Sequence, residues 1–375
     1  MTLAVIMAGG RSARMRATAG PVHKALVPVL GVALLERNLC ALLAQGFRDV
    51  AVAVSAHEPD VERWVLGRGR ALATAVKARL ECLRERSARG TIGAVAGLEA
   101  SGRSLLVVNV DNLTALPLAK LVAAHEAAGA AMTIASHVET MRAPCGELRV
   151  VDGMVTDYLE KPVTRFPASS GTYVLGAKAV ALLDDERRWD VPDLVTALIA
   201  RGDHVCAFPH EAPWIDVNDA AARAHAERLL AEQRDSFEHW GEPPAHEVVA
   251  LLMLSASRAL VAHRPARSAR YRGSWDVPGD ELRRDGATPS DALGRLLAHT
   301  VPGSRLAPKF LTSLDDLDVT TGRLIRHHVF VAHAEDVPSL SEDSSVRWVS
   351  RKGLPRLGSL SSPLVRALAW ADRST

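Results

Sequence analysis

The sequence predicts an α/β protein: a Rossmann-like, doubly wound mixed sheet followed by a smaller α+β domain. Apolar, strand-like runs alternate with amphipathic helical segments through the first part of the chain. Several of these runs are almost wholly apolar, as expected of parallel strands buried on both faces. A polar stretch, QRDSFEHWGEPPAHE, then separates two groups of strands. We therefore predict a first domain at 1–234, a linker at 235–246 and a second domain at 247–375.

The strands and helices of the first part follow from the period of their apolar residues. TLAVIMA, DVAVAVS, SLLVVNV and AAMTIASHV are short apolar runs, which predict strands. VALLERNLCALLAQGF and LAKLVAAHEAAG have helical periodicity, and the first is predicted to end at Gly46. Two alternating runs flank Asp152-Gly153 in ELRVVDGMVTDYLEKP, which predicts a β-hairpin. A last helix is predicted over 219–232.

The tail has a different pattern. EVVALLMLSASRALVAHRP predicts two strands joined by a serine-rich turn, and HHVFVAHA and VRWVS predict two more. A short helix is expected near the end of the chain. These elements predict a second domain of mixed α+β type.

Composition excludes several functional classes. The net charge of +2 gives no basic field for a nucleic-acid or membrane partner. The four cysteines are scattered without a CxxC pair, which argues against a zinc site and favours a reducing compartment. No apolar run approaches the roughly 18 residues of a membrane span. We therefore expect a cytoplasmic protein, and a homo-oligomer is compatible with this sequence.

The stretch AGGRSARM follows the first predicted strand and contains a glycine pair. It matches neither the Walker loop, because no Ser or Thr follows Lys24, nor the spaced glycines of the Rossmann fingerprint. Gly9 and Gly10 free backbone N–H groups to approach an anion, and three cations follow, Arg11, Arg14 and Lys24. This set suits a triphosphate or pyrophosphate. The alternative is a tight strand-to-helix turn with solvated arginines.

Two carboxylates come after apolar strands. Asp111 lies just past SLLVVNV, at the edge where open α/β sheets bind ligands, and Asp216 ends another apolar piece. Asp219 is the better N-cap for the helix that follows Asp216, so Asp216 is free to bind Mg²⁺ together with Asp111. Alternatively, Asp111 caps the helix after it. The sequence does not show that the two carboxylates meet.

Six blocks in order resemble one family. They are AGG…R–M…HKALVPV, RGTIGAVAGL, VVNVDNLT, GELRVVDGMVTDYLEKP, SSGTYVLGAKAVALL and WIDVNDAAARAHA, spanning residues 3 to about 230. This pattern resembles the sugar-1-phosphate nucleotidylyltransferases, whose fold is the nucleotide-diphospho-sugar transferase type. It is most similar to the mannose-1-phosphate guanylyltransferase and glucose-1-phosphate thymidylyl- or uridylyltransferase group. The pattern differs at His23, Val110 and Asn218, where this family usually has Pro, Gly and Gly.

The resemblance implies a role for each matching position. Ala8, Gly9, Gly10 and Arg11 would bind the nucleotide, with Gly90 and Thr91 near its base and ribose. Arg14 and Lys24 would neutralise the phosphates. Asp111 would bind Mg²⁺, with Asp216 completing the site. The sugar and its phosphate would be contacted by Gly146, Glu160, Lys161 and Thr172.

The implied reaction joins a nucleoside triphosphate and a sugar 1-phosphate, or a cyclitol phosphate, to give an NDP-sugar and pyrophosphate. The acceptor phosphate would attack the α-phosphorus in line, and no general base is required because that phosphate is already anionic. Positioning and charge stabilisation by Lys, Arg and Mg²⁺ would supply the catalysis. Two alternatives are a nucleotidylyltransferase with a non-sugar acceptor and a non-catalytic nucleotide-binding regulatory protein.

The tail contains a second resemblance. WDVPGDELRRDGATPSDALGRLLAHTVPG (275–303) resembles a Nudix box, with Trp275, Gly279, Gly286 and Pro289 among the frame positions. Its metal-binding glutamates are replaced, and the positions hold Leu296, His299 and Thr300. Without clustered carboxylates a pyrophosphohydrolase cannot hold its metal. We therefore predict a Nudix-like domain without hydrolase activity that binds a nucleotide, mediates self-association or shields the active site; the alternative is a plain helix and turn.

Overall fold

The computed structural model describes residues 2–10, 12–96, 98, 103–184, 186–240, 243–282, 287–304, 306–334, 340 and 345–374. Two mixed sheets organise this part of the chain, one built from the amino-terminal two thirds and one from the remainder. The predicted fold class is confirmed, because a largely parallel sheet with helices on both faces is followed by a second sheet.

The strands of the first region are β1 (Leu3–Ala8), β2 (Pro28–Val29), β3 (Val32–Ala33), β4 (Asp49–Ser55), β5 (Arg79–Glu85), β6 (Leu105–Asn109), β7 (Asn112–Thr114), β8 (Met132–Arg142), β9 (Glu147–Val151), β10 (Met154–Leu159), β11 (Val163–Leu175), β12 (Val205–Pro209) and β13 (Trp214–Asp216). The helices are α1 (Ala13–Ala19), α2 (Leu34–Ala44), α3 (Pro59–Trp64), α4 (Arg70–Ala75), α5 (Leu118–Ala128), α6 (Ala177–Val180), α7 (Val191–Ala200), α8 (Ala220–Glu232) and α9 (Arg234–Glu238). Val65–Gly69 forms a π-helical turn between α3 and α4, and Lys24–Leu26 and Gly93–Val95 form 3₁₀ turns.

The first sheet has the strand order β12-β8-β11-β6-β1-β4-β5. Strand β1 pairs in parallel with both β4 and β6, whereas β11 runs antiparallel to its neighbours β6 and β8. Alternate residues of β1 enter different cores: Ile6 packs with α2 and α5, and Val5 packs with α7. This explains the uninterrupted apolar run, since neither face of β1 meets water. The carboxyl ends of β1 and β6 therefore lie side by side.

A long β-ribbon extends from this sheet. Strands β8 and β11 remain paired out to Arg142 and Val163, and β9 and β10 form the hairpin predicted around Asp152-Gly153. Both turn residues have positive φ, 48° and 80°, as a type I′ turn requires. We call residues 138–167 the β-ribbon. Nearly all of its residues are exposed, so apart from the hairpin turn its shape owes little to core burial.

The second region is a sheet with a helix on each face. Its strands are β14 (His246–Leu254), β15 (Arg258–His263), β16 (Trp275–Asp276), β17 (Gly279–Glu281), β18 (Lys309–Asp318), β19 (Arg323–His333) and β20 (Val346–Ser350), and its helices are α10 (Pro289–Thr300) and α11 (Ser362–Ser374), with a 3₁₀ stretch at Arg351–Leu357. The order is β16-β15-β14-β19-β18, with β17 on β14 and β20 on β15. Leu293 of α10 and Leu364 of α11 belong to separate cores on the two faces.

The two regions pack tightly against each other. Leu317 of β18 belongs to the same core cluster as helix α2 of the first region. The stretch predicted as a linker contains part of α9, and Glu238 within it is 1% exposed. Glu238 pairs with Arg37 of α2 at 3.0 Å and also with Arg366 of α11. Segment 235–246 thus contributes a buried ion-pair bridge between the two sheets.

None of the helices in the described residues is both long and apolar enough to cross a membrane.

Candidate functional site

A lysine and an aspartate meet at the carboxyl edge of the first sheet, beside the turn that contains Gly9 and Gly10. We call this turn the glycine loop. Lys24 Nζ donates to Asp111 Oδ2 at 2.6 Å, and both side chains are mostly buried, with 20% and 15% of their surfaces exposed. A Cβ on Gly10 would lie 3.8 Å from Lys24 Nζ, so the loop passes directly by the ammonium group. The structure therefore brings together three of the positions that the sequence singled out.

Strand pairing brings the second carboxylate to the same place. Strands β7 and β13 are antiparallel, with Asp216 opposite Asn112, and Val217 N donates to the Asp111 carbonyl at 2.9 Å. The pKa of Asp216 is raised by burial and by the nearby Asp111 carboxylate. Asn218 donates to Asp216 Oδ2 at 2.8 Å, but the buried Oδ1 has no hydrogen-bond partner among the described residues. Two close carboxylates with an unsatisfied oxygen form a donor set suited to a hard dication.

His23, one of the departures from the family pattern, supports the glycine loop. It is 3% exposed, its Nε2 lies 2.8 Å from the Gly10 carbonyl, and its Nδ1 accepts from Ala25 N at 3.1 Å. Burial lowers the pKa of His23, which favours the neutral ring with Nε2–H donating to Gly10. Ser12, at φ 55°, accepts from Lys24 N through its Oγ at 3.1 Å. The loop is thus held in place by side chains of its own segment.

The remaining positions of the loop differ in exposure. Ala8 is fully buried at the end of β1, with neither its backbone nor its side chain exposed. Arg14 lies exposed on α1, and its charge opposes part of the rise in the pKa of Asp216 that burial and Asp111 cause. Arg11 lies outside the described residues.

Val110, where the family pattern has glycine, is fully buried in the core, and its carbonyl accepts from Asn38 Nδ2 at 3.0 Å.

Gly90 and Thr91 are held against the start of helix α7. Gly90 has φ 92°, and a Cβ there would lie 2.1 Å from the Trp189 carbonyl oxygen, so a side chain is excluded. Thr91 N donates to Asp190 Oδ1 at 2.7 Å, and Thr91 Oγ1 accepts from Val191 N at 3.0 Å. The structure gives this pair a loop-anchoring role, whatever it contacts in a ligand.

Glu85 lies at the candidate site and was not among the residues that the sequence analysis named. It ends β5, and a Cβ on Gly9 would lie 2.1 Å from Glu85 Oε2, so the carboxylate packs against the glycine loop. Burial raises the pKa of Glu85, and its buried Oε1 has no hydrogen-bond partner among the described residues. A pocket of about 440 Å³ opens beside it, lined by residues of 83–98. The rule that singled out Asp111, a carboxylate at the carboxyl end of a parallel strand, applies to Glu85 as well.

The positions expected to contact the sugar are divided between two environments. Glu160 and Lys161 are exposed on the β-ribbon, where Tyr158 Oη donates to Glu160 Oε2 at 3.0 Å. A Cβ on Gly146 would lie 2.3 Å from Tyr158 Oη, so the ribbon is closely packed there. Thr172 instead lies fully buried in β11, opposite Val108. The structure does not bring these four residues into one cluster.

The chain belongs to the nucleotidyl transferase family, whose pattern matches residues 3–233. Among solved structures, a Bacillus anthracis protein described as a candidate glucose-1-phosphate thymidylyltransferase is similar, with 16% identity and a TM-score of 0.48 over 61% of this chain and 95% of that one. HddC from Yersinia pseudotuberculosis is similar at 21% identity and TM-score 0.47, over 61% of this chain and 99% of that one. HddC complexed with GMP-PN is similar at 22% identity and TM-score 0.47. No curated protein matches the chain.

Proposed function

We propose that this nucleotidyl transferase joins a nucleoside triphosphate and a sugar 1-phosphate, or a cyclitol phosphate, to give an NDP-sugar and pyrophosphate. The observation that carries the proposal is the cluster of Lys24, Asp111 and Asp216 beside the glycine loop at the carboxyl ends of β1 and β6. Open α/β sheets bind ligands at that edge. A cation next to two carboxylates suits a reaction at phosphorus, because both negative charge and a metal must be held there.

The chain's own residues supply positioning and charge. Gly9 and Gly10 present backbone N–H groups toward an anion, and His23 holds the Gly10 peptide in one orientation. Lys24 and Arg14 offset the negative charge that moves onto the departing pyrophosphate. The attacking group is a phosphate oxygen that is anionic at neutral pH, so in-line attack at the α-phosphorus needs no general base. The neutral, buried His23 thus acts in support of the loop.

We propose Asp111 and Asp216 as the residues that would hold Mg²⁺. The unpartnered Asp216 Oδ1 and the mutual repulsion of the two carboxylates fit a dication between them. Mg²⁺ is usually held by one or two carboxylates together with substrate phosphates and water, so two protein ligands suffice. When bound, it would neutralise charge on the phosphates during transfer. Lys24 adds a positive charge to this site, because its ammonium group forms an ion pair with Asp111.

The acceptor side of the proposal rests on the β-ribbon. Glu160 is an exposed carboxylate able to accept from sugar hydroxyls, and Lys161 beside it is a cation for the sugar phosphate. Lys161 has φ 45°, an uncommon backbone conformation for a residue with a side chain. Thr172 lies inside the sheet, so its contact with the acceptor stays a prediction, as does that of Gly146.

We propose that the second region is a Nudix-like domain without hydrolase activity. On α10, Leu296 is buried against the sheet and His299 and Thr300 stand where the box has carboxylates. Part of the box, including Gly286, lies outside the described residues. We also propose the domain division at 234 and 247, because it separates the strands of the first sheet from those of the second.

A pyrophosphate-release screen tests the proposed function. The nucleoside triphosphates are crossed with several sugar 1-phosphates and with non-sugar phosphates, each with and without Mg²⁺. We expect release only when a triphosphate, a sugar or cyclitol phosphate and the divalent cation are all present. Turnover with a non-sugar acceptor alone would overturn the sugar assignment. Absence of turnover in every pairing, with a protein that shows a cooperative melting transition, would overturn the enzymatic proposal.

A further inference from the structure

A buried serine contacts two short strands, of which one begins directly after Asp111 and the other ends at Asp216. Ser170 lies in β11 and is fully buried. Its main-chain carbonyl accepts two side-chain hydrogen bonds, from Asn112 Nδ2 at 2.5 Å and from Trp214 Nε1 at 2.8 Å. Asn112 belongs to β7 and Trp214 to β13. One oxygen atom therefore ties both strands to the central sheet.

Strands β7 and β13 depend on contacts with the central sheet for their position. The β7–β13 pair is only three residues long on each side, with Trp214, Ile215 and Asp216 opposite Thr114, Leu113 and Asn112. Asn112 directly follows Asp111, and Trp214 precedes Asp216 by two positions. A shift of either strand against the central sheet would change the separation of the two carboxylates. Two-stranded pairs have little stability by themselves, so their position depends on contacts of this kind.

Hydrogen bonds to its side chain also hold Ser170 in place. His137 Nδ1 lies 2.9 Å and His210 Nε2 lies 2.8 Å from Ser170 Oγ. A serine hydroxyl carries one proton, so it donates to one histidine and accepts from the other. His137 Nε2 lies 2.9 Å from Glu139 Oε1, and its ring packs against Trp214 with centroids 4.3 Å apart. These contacts come from β8, β11 and the loop after β12, and they fix where the carbonyl points.

Gly171, the residue after Ser170, shows how little space surrounds the hydrogen bond between Asn112 and the Ser170 carbonyl. Gly171 has φ 65°, and a Cβ there would lie 2.5 Å from Asn112 Nδ2 and 2.9 Å from Asn109 Nδ2. A side chain would push Asn112 away from the Ser170 carbonyl. The chain thus has glycine where the approach of two polar groups requires it.

We propose that Ser170, Asn112 and Trp214 are positioning residues that set the separation of Asp111 and Asp216 for a divalent cation. This inference rests on the proposed function, because it assigns those two carboxylates to the metal. The unit acts through the strands, and none of its three members is a metal ligand. It would control cation affinity and turnover more than binding of the triphosphate.

The test is the affinity of the full-length protein for Mn²⁺, with and without the triphosphate, measured from the electron paramagnetic resonance signal of the free ion. Trp214→Phe removes the N–H donor and retains a ring against His137. Asn112→Ser is the second variant, in case the first fails to fold. Trp348→Phe is the matched control, because the Trp348 Nε1–H is buried without a hydrogen-bond partner among the described residues. Melting temperature, kcat and KM for the triphosphate are measured for each variant.

We expect Trp214→Phe and Asn112→Ser to weaken Mn²⁺ binding about fivefold to tenfold, as loss of one buried hydrogen bond would. We also expect kcat to fall by a similar factor with KM for the triphosphate within twofold, and Trp348→Phe to match the wild type. Wild-type Mn²⁺ affinity in a folded variant would overturn the positioning role alone, and so would a lower melting temperature without an affinity change. A wild-type protein that binds Mn²⁺ neither alone nor together with the triphosphate would overturn the metal site of the proposed function as well.

Discussion

Buried acidic side chains in the first sheet and at the contact with the second sheet have opposite surroundings. At the edge of the first sheet, burial and the neighbouring Asp111 carboxylate raise the pKa of Asp216. At the contact between the regions, burial would also raise the pKa of Glu238, but Arg37 and Arg366 hold it below its ordinary value. Burial by itself therefore does not mark a functional site. What distinguishes the two is whether the fold supplies enough cations to neutralise the charge.

Two carboxylates of the second sheet, Asp315 and Asp276, repeat the paired arrangement. Arg326 donates to both oxygens of Asp315, at 2.7 and 3.0 Å. Asp276 accepts from Arg264 at 3.0 Å and from Ser361 at 2.6 Å. These carboxylates have their partners within the protein, so they hold the structure together. Asp216 lacks that compensation and lies beside Asp111 and Lys24 at the carboxyl edge of the first sheet, which is why we assign the chemistry to this edge.

The largest expected effect comes from removing a charge at the first sheet. Asp111→Asn should lower turnover at least about 1000-fold, equivalent to about 4 kcal/mol of barrier, because the proposed metal ligand and the partner of Lys24 are both lost. Pyrophosphate release measures the change, and the melting temperature should stay close to that of the wild type. Asp60→Asn is the control, since Asp60 forms an exposed pair with Arg63. Full activity of Asp111→Asn would refute the metal assignment.

Removing a charge at the contact should affect stability and leave the chemistry intact. Glu238→Gln leaves Arg37 buried without its anion and leaves Arg366 with only Asp316, 3.6 Å away, and breaking such a buried pair costs about 3–5 kcal/mol. Chemical denaturation measures the loss in free energy of unfolding. The comparison variant is Glu227→Gln, whose partly exposed pair with Arg223 should contribute less than about 1 kcal/mol. Equal stabilities of the two variants would show that the buried bridge is not a stabilising feature.

A third variant tests the support of the glycine loop. His23→Ala removes the donor to the Gly10 carbonyl, and an unsatisfied or displaced loop peptide costs about 1–2 kcal/mol. We expect the KM for the triphosphate to rise about tenfold, with a smaller change in kcat. Steady-state kinetics at saturating acceptor separates the two constants. If KM is unchanged, the loop does not depend on His23 for its shape.

The smallest expected effect is a dependence on pH. Because the pKa of Glu238 is lower in the folded chain than its ordinary value of 4.5, ionised Glu238 stabilises the fold above that pH. This contribution is lost as the pH falls through the lower, folded-state pKa. The difference in unfolding free energy between wild type and Glu238→Gln should therefore be constant above pH 4.5 and narrow below it. A difference that widens on acidification would contradict the pairing of Glu238 with the two arginines.

Local patterns predicted most elements close to their observed bounds. Strand β4 has the bounds expected from DVAVAVS, and the hairpin turns at Asp152-Gly153 as its residue types require. Helix α8 follows Asp219, whose Oδ1 accepts from Ala222 N at 2.8 Å as an N-cap. These features depend on neighbours in the sequence, which is why a sequence pattern can reveal them. The short strand β7 and its pairing with β13 were not predicted, because the paired residues are 100 or more positions apart in the chain.

The sequence by itself determined the alternation of strands and helices, the glycine loop and the family, since each of these resides in contiguous residues. It also singled out Lys24, Asp111 and Asp216 as separate polar residues. Only the tertiary structure decided that Lys24 contacts Asp111, that β13 brings Asp216 to them, and that Glu85 lies against Gly9. The physical reason is that charges act through distance in space. Residues far apart in the chain become neighbours only when burial of the apolar strands sets the order of the sheet.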